Sequence, residues 1–140
     1  MENRFENWQY PEIEEGKLTK YYWLIKNKEG LSLGRFTDIG AFTYINAKNE
    51  VVIEDYVQIG GGVKIYSVNT IDETQGKIVL KKNSKIGANS VILPNVIVGE
   101  NSVVGACSVV KSNTEIPANE IWAGRPARKI GQIIDGKRHY

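Results

Sequence analysis

The chain has 140 residues, of which 41% are hydrophobic and 24% charged, as expected for a single folded domain. Eighteen Lys and Arg residues against 16 Asp and Glu residues give a net charge of +2, so neither nucleic acid nor an anionic membrane is indicated as a partner. One cysteine excludes an intrachain disulfide, and no apolar run approaches the roughly 18 residues of a membrane span. With no signal-peptide pattern at the N-terminus, we predict a cytoplasmic protein without membrane insertion.

The first thirty residues show no regular apolar spacing and are rich in aromatic side chains: Trp8, Tyr10, Tyr21, Tyr22 and Trp23. Two interpretations are open. The segment caps an open end of the structure that follows, as repeat structures require, or its rings form a shelf for a sugar or a base.

Large apolar residues recur at every sixth position through most of the remaining chain. The step slips by two residues after Ile45 and by three after Ile71. The positions are Leu33, Ile39, Ile45, Ile53, Ile59, Ile65, Ile71, Leu80, Ile86, Ile92, Val98, Val104, Val110, Ile116 and Trp122. Glycine often follows the apolar residue, as at Gly87, and a small or β-branched residue often stands four positions after it, as at Ser90.

A period of six fits neither a helix nor an ordinary strand, but it fits a short strand and a turn, three of which make a triangular coil. The large residue points inside, the small one packs beside a corner, and glycine supplies the φ values that tight corners often need. A β-sandwich would need turn signals about every 8–12 residues, and these are absent. We predict an all-β parallel β-helix of about five coils over residues 31–130, with an N-terminal cap segment at 1–30 and a partly disordered tail at 131–140.

The longest interruption of the repeat spans residues 66–79. An insertion in a solenoid leaves the coil as a loop, and loops on rigid scaffolds often carry function. This loop is therefore a candidate for part of a functional site.

The pattern [Ile/Leu/Val]-Gly-x-x-[Ser/Thr/Val]-x resembles the hexapeptide-repeat acyltransferase superfamily over roughly residues 31–130, and within it the sugar O- and N-acetyltransferases of surface-glycan biosynthesis. The resemblance implies a left-handed β-helix and a homotrimer with active sites between neighbouring subunits. It also implies acyl transfer from acetyl-CoA, without a metal, to a hydroxyl or amine of a sugar or nucleotide-linked sugar.

The segment 86–111 is similar to the two coils along which the family binds the pantetheine arm of the coenzyme. The resemblance assigns the backbone amides of Ala88 and Ala106 to that arm, and small side chains there would let a ligand approach the backbone. The alternative for each alanine is that it merely fits a corner.

Basic residues follow this segment. Gly124-Arg125-Pro126-Ala127-Arg128 looks like the family's Gly-x-Pro-x-[Arg/Lys] ending, whose basic residue contacts the coenzyme phosphates. Arg128 matches that position, and Lys111 and Arg125 are further phosphate-binding candidates. Solvated surface charge is the alternative for all three.

The histidine that these enzymes use as a general base is missing. The family motif reads roughly Ile-Tyr-Ser-His-[Ser/Thr]-Thr, whereas residues 65–70 read IYSVNT, with Val68 in the histidine position and the only histidine at His139. A zinc hydratase, which shares this fold, needs about three histidines and is excluded. Cys107 is expected to be a small packed residue rather than a nucleophile.

Three interpretations of the missing histidine are open. Asp72 or Glu73 acts as the base, with Asn69 orienting the substrate, although a solvated loop and a turn cap are the alternatives for these side chains. The site works by positioning an amine that arrives unprotonated. The protein is a non-catalytic trimeric scaffold or binding module.

Overall fold

The fold is a stack of five triangular coils, each made of three short strands that are joined by tight turns. The structure is a computed structural model and describes residues 5–140. In chain order the strands are β1 (Leu24–Lys26), β2 (Leu31–Leu33), β3 (Asp38–Ile39), β4 (Tyr44–Asn46), β5 (Val51–Ile53), β6 (Gln58–Ile59), β7 (Lys64–Tyr66), β8 (Val68–Asn69), β9 (Thr74–Gln75), β10 (Ile78–Leu80), β11 (Lys85–Ile86), β12 (Val91–Ile92), β13 (Ile97–Val98), β14 (Val103–Val104), β15 (Val109–Val110), β16 (Glu115–Ile116), β17 (Glu120–Gly124), β18 (Ala127–Ile134) and β19 (Lys137–His139). A 3-10 helix, Lys28–Gly30, lies between β1 and β2.

The coils form three parallel sheets along the long axis. The first sheet has the order β1-β4-β7-β12-β15, the second β2-β5-β10-β13-β16, and the third β3-β6-β11-β14-β17 with β18 and β19 added at its end. This all-β architecture of about five coils confirms the predicted left-handed β-helix.

Coil length changes along the chain and explains the slips in the repeat. Leu24 pairs with Tyr44, and Tyr44 with Lys64, so the first two coils take 20 residues each. Lys64 pairs with Val91, 27 residues on, because the loop leaves the third coil. Val91 pairs with Val109, 18 residues on, which is three uninterrupted hexapeptides.

The six-residue series fills the core. Ile45, Ile65 and Val104 are fully buried, and each buried side chain of this size contributes about 1.5–3 kcal/mol. Leu33 and Trp122 are partly buried and pack against the same core. Ile71 was wrongly placed in the series: it is 92% exposed, because it lies in the loop rather than in a coil.

The prediction that glycines supply the corner φ values is wrong. The left-handed conformation occurs at the third residue of most corners, where asparagine is frequent: Asn83, Asn89, Asn95, Asn101, Asn113 and Asn119 have φ between 60° and 66°. Gly87, by contrast, has no positive φ, but a Cβ there would collide with the backbone of Ala106 in the next coil. The glycines therefore permit close stacking of coils, and asparagine supplies the turn.

Trp23 is buried in the core beside the first coil, and the Trp8 indole N–H donates to the Thr37 carbonyl at 2.7 Å. Tyr10, Tyr21 and Tyr22 remain 49–59% exposed. Trp23 thus favours the cap interpretation of the N-terminal segment, and the division of the chain into segments 1–30, 31–130 and 131–140 stays a prediction.

The tail forms a hairpin, so the prediction of partial disorder there is wrong. β18 pairs antiparallel with β17 and with β19. The two-residue turn is Asp135-Gly136, both with positive φ, which is the dipeptide that a type I′ hairpin favours. Within residues 5–140, no helix has the length and hydropathy that a membrane span requires.

Candidate active site

The turns that lead from the third sheet into the first stack on one another and form one edge of the prism. We call this edge the amide edge; it comprises residues 40–43, 60–63, 87–90 and 105–108, each a four-residue turn between consecutive strands of the third and first sheets. The second residue of each turn has a small side chain or none, namely Ala41, Gly61, Ala88 and Ala106.

The amide edge holds unpaired backbone donors. The Asn89 amide donates to the Gly61 carbonyl at 2.9 Å, and the Cys107 amide to the Ala88 carbonyl at 2.8 Å. One residue earlier, the amides of Ala88 and Ala106 donate to no acceptor in the part of the chain that the structure describes. Backbone donors normally find partners, so two donors one coil apart, about 4.8 Å, suit the carbonyl oxygens of an extended ligand.

A groove of about 480 Å³ runs beside the amide edge. Its lining includes Gly61, Gly105 and Ala106, together with the basic residues Lys85 and Arg138. A ligand in the groove can therefore approach the backbone closely and meet positive charge.

Two of the three predicted phosphate-binding residues lie at the C-terminal end of the amide edge. Arg125 directly follows Gly124, whose amide donates to the Ser108 hydroxyl oxygen at 3.0 Å, and Arg128 pairs with Ala123 across the β17–β18 ladder. Both arginines are exposed. One guanidinium nitrogen of Arg128 donates to the Ala127 carbonyl at 2.9 Å, and its remaining N–H groups can meet a phosphate group.

Lys111 lies on a different edge of the prism, in the turns between the first and second sheets. It precedes Ser112, whose Oγ is 3.4 Å from Thr74 Oγ1 in the β8–β9 hairpin. The structure therefore places Lys111 beside the loop and not with Arg125 and Arg128.

The β8–β9 hairpin carries the three loop candidates. The Asn69 side-chain oxygen accepts the Ile71 amide at 3.1 Å, which is a turn-capping contact. Asp72 Oδ1 accepts the Thr74 hydroxyl at 2.6 Å and the Thr74 amide at 3.1 Å. These hydrogen bonds, the hydroxyl first, lower the pKa of the exposed Asp72 carboxyl. Glu73 is exposed and adopts a left-handed φ of 60°.

The hairpin and the amide edge are separated by the width of the first sheet. Tyr44 and Tyr66 lie on that sheet with ring centroids 5.7 Å apart, and Val68, in the position of the family's histidine, begins the hairpin. Within one chain, the loop candidates and the coenzyme candidates are therefore on different edges of the prism.

Some features of the site escaped the sequence reasoning. Cys107 was expected to be packed, but it is exposed at the amide edge with a φ of 57°. Lys85 precedes a buried repeat residue, so strand alternation indicated that it faces outward. No sequence signal indicated that Arg138 lines the same groove. Among residues 5–140, no group of three or more His, Cys, Asp or Glu side chains could hold a metal ion.

Comparisons with known proteins identify chains that are similar to this one. The family model of the bacterial transferase hexapeptide (six repeats) matches residues 77–112. A curated relative, delta-poly-L-ornithine synthetase of Acinetobacter baumannii (strain AB307-0294), is 31% identical over 106 residues. The match covers 74% of this chain but only 8% of the length of that relative.

Solved structures share the fold. The hexapeptide-repeat acetyltransferase VCA0836 of Vibrio cholerae is 28% identical, with a TM-score of 0.74, over 81% of this chain and 68% of that chain, and it has also been solved with acetyl-CoA. A variant of AntD, an N-acyltransferase of Bacillus cereus, is 25% identical, with a TM-score of 0.64, over 81% of this chain and 78% of its own. That structure contains dTDP-4-amino-4,6-dideoxyglucose and coenzyme A.

The chain therefore folds as a left-handed β-helix, and residues 77–112 are similar to the bacterial transferase hexapeptide repeats. Its predicted resemblance to the hexapeptide-repeat acyltransferases is confirmed.

Proposed function

We propose that this chain is an acyl-CoA-dependent transferase, with acetyl-CoA as donor, that acts on a sugar or nucleotide-linked amino sugar in surface-glycan precursor synthesis. The observation that carries the proposal is the pair of unpaired amides at Ala88 and Ala106, on an edge that ends at Arg125 and Arg128. VCA0836 with acetyl-CoA and AntD with coenzyme A and a nucleotide-linked amino sugar supply the chemistry by analogy.

The residues present fit the coenzyme. The amides of Ala88 and Ala106 would receive the carbonyl oxygens of the pantetheine arm, and the exposed Arg125 and Arg128 would hold its phosphate groups. Lys111 lies beside the β8–β9 hairpin, so it would bind a coenzyme phosphate only if that hairpin of one subunit lay against the amide edge of another. When bound, the coenzyme supplies an acyl group activated as a thioester.

The acceptor side has no histidine at the family's position, so we propose that positioning supplies most of the catalysis. An amine that arrives unprotonated needs little help from a base, and holding two reactants together removes much of the barrier. The hairpin residues Asn69, Asp72 and Glu73 would line the acceptor side. Asp72 is a poor general base, because the Thr74 hydrogen bonds lower the pKa of its carboxyl.

We further propose that the protein is a cytoplasmic homotrimer in which the β8–β9 hairpin of one subunit meets the amide edge of the next. The separation of these two groups within one chain supports this arrangement, because neither edge alone holds both the donor and the acceptor candidates. A non-catalytic trimeric scaffold is the second candidate, favoured by Val68 at the histidine position.

Titration with acetyl-CoA in a calorimeter tests the coenzyme site. We expect the wild type to bind at micromolar to sub-millimolar concentration and Arg128→Ala to bind about tenfold more weakly, because a lost charged contact to phosphate changes affinity by about that factor. Arg35→Ala is the matched control, since Arg35 is exposed at another edge and should bind as the wild type does.

Thiol release from acetyl-CoA with a panel of amino sugars and hydroxyl sugars then measures transfer. Faster release with an amino sugar than with its hydroxyl counterpart supports an amine acceptor. No binding at millimolar acetyl-CoA contradicts the transferase proposal and favours the scaffold.

A further inference from the structure

Two cations line the groove beside the amide edge without a compensating ion pair. Lys85 lies on the outer side of β11 and Arg138 on β19, and both line the groove of about 480 Å³. In the described part of the chain, neither forms a salt bridge. The polar contact of Lys85 is weak, a 3.4 Å donation to Asn83 Oδ1.

The C-terminal hairpin brings the two cations together. Val103 also lines this groove and is only 7% exposed although it faces outward from the third sheet. Arg138 of the hairpin shares the lining with Val103 and Lys85, so β18 and β19 turn back across the outer side of the sheet. Burial, and then the charge of Arg138, lower the pKa of Lys85. Lys85 is therefore kept in a place that disfavours its positive charge.

The nearest acidic residue in the lining does not lie between them. Asp38 pairs in register with Gln58, and Gln58 with Lys85, so Asp38 is two strands, or about 10 Å, from Lys85 along the sheet. The groove also reaches Gly87, Gly105 and Ala106 of the amide edge, whose small size leaves the backbone accessible. The positive end of the groove is thus open to an anion.

We propose that Lys85 and Arg138 form a phosphate-binding site, suited to a phosphate or diphosphate ester that lies along the groove. Two like charges that converge in a half-buried groove repel each other, and a doubly charged anion between them removes that repulsion while gaining two charged contacts. The lysine and arginine differ in role. The Arg138 guanidinium can donate hydrogen bonds to two phosphate oxygens, and the Lys85 ammonium acts as a point charge.

The site rests on the proposed function for its ligand, because both substrates of that reaction carry phosphate. The coenzyme would contribute its diphosphate or ribose phosphate, and a nucleotide-linked sugar would contribute its diphosphate. The phosphate chemistry is the same in both cases, and the choice of probe distinguishes the two sources.

The test is calorimetric titration at fixed ionic strength with sodium diphosphate, acetyl-CoA and thymidine diphosphate. The variants are Lys85→Met, Arg138→Met and the double variant, with Lys82→Met as the matched control. Lys82 is an exposed lysine outside the groove, so its loss changes the net charge equally. Thermal unfolding of each variant verifies that the fold is kept.

We expect diphosphate binding to weaken about tenfold or more in each single variant and to change less than twofold in Lys82→Met. A parallel loss for acetyl-CoA alone identifies the coenzyme as the source, and a loss for thymidine diphosphate alone identifies the nucleotide. Diphosphate affinities within twofold of the control variant, or no binding of diphosphate to the wild type at millimolar concentration, overturn the site. If the wild type binds diphosphate through these residues but does not bind acetyl-CoA, the phosphate site stands and the transferase proposal fails.

Discussion

The Asp72 carboxylate illustrates how local hydrogen bonds decide what a residue can do. A general base for proton removal near neutral pH works best with a pKa close to that pH, but the Thr74 hydroxyl and amide lower the pKa of Asp72 from its usual value. The stabilisation from these contacts is present above the pKa of the unfolded chain and is lost as the pH falls through the lower folded value. Asp72 is therefore ionised, and its contacts intact, throughout the neutral range.

We predict that Asp72→Asn lowers kcat less than about threefold and leaves the pH dependence of kcat/KM between pH 6 and 9 unchanged. An essential base would contribute about 10²–10⁴-fold. The measurement is the pH profile of thiol release, with Glu73→Gln as the control on the neighbouring side chain. A hundredfold loss together with a lost acidic limb would assign the base to Asp72.

At single positions, the sequence predicted which repeat residues are buried. It did not predict why glycine stands next to them. Glycine after each apolar residue suggested a need for unusual φ, whereas Gly87 is required by the approach of Ala106. The distinction depends on the distance between consecutive coils, which no single hexapeptide encodes. Ile71 stands six residues after Ile65 by coincidence. The loop begins at Val68, two residues after Tyr66, so Ile71 belongs to the loop and not to a coil.

Because the coils stack closely, some glycines cannot be replaced by a larger residue, whereas others can. A Cβ on Gly87 would meet the Ala106 backbone, which strand pairing holds on both sides and which cannot move aside. A Cβ on Gly61 would meet the Ala41 carbonyl oxygen at 3.1 Å and the Ala41 amide nitrogen at 3.9 Å, both farther away than the atoms that Gly87 faces. The two positions belong to the same amide edge, so they form a matched pair for testing the packing of this element.

We predict that Gly87→Ala destabilises the protein by about 1–3 kcal/mol, the usual effect of overpacking, and that Gly61→Ala changes stability by less than about 0.5 kcal/mol. Urea unfolding at one protein concentration measures both. Equal destabilisation by the two variants would contradict the assignment of the effect to the contact between the Gly87 and Ala106 turns.

At the level of elements, the strands, the loop and the order of coils could be predicted because a fixed period and buried side chains coincide in a solenoid. The turn of the C-terminal hairpin could also be predicted, since Asp135-Gly136 is a recognised two-residue turn signal. Its fold-back over Val103 could not, because that contact depends on tertiary packing between residues far apart in sequence. The placement of Arg138 beside Lys85 shares this origin, so half of the proposed phosphate site was invisible in the sequence.

The whole molecule presents three unequal outer surfaces. The outer side of the third sheet carries Lys85 and the groove. The first sheet has Lys64 in the middle of its outer column, between Tyr44 and Val91. The second sheet has Val52, Val79 and Ile97 on consecutive strands, all partly buried, with no charge among them. This column ends at the exposed Glu115, which pairs with Ile97, but its three central apolar positions make it the surface best suited to burial between subunits.

We predict that the protein sediments at about three times the 15.7 kDa of one chain and that Val79→Lys dissociates it, because an unpaired ammonium buried in an interface opposes association. Val91→Lys is the control: it places the same charge on the outer side of the first sheet, and we expect the assembly to persist. Analytical ultracentrifugation measures the masses, and the acetyl-CoA assay on the Val79→Lys protein then asks whether one subunit suffices for activity.

A monomeric but fully active variant would contradict a site shared between subunits, because the β8–β9 hairpin and the amide edge would then have to cooperate across the first sheet of a single chain. Dissociation by Val91→Lys alone would instead place the interface on the first sheet.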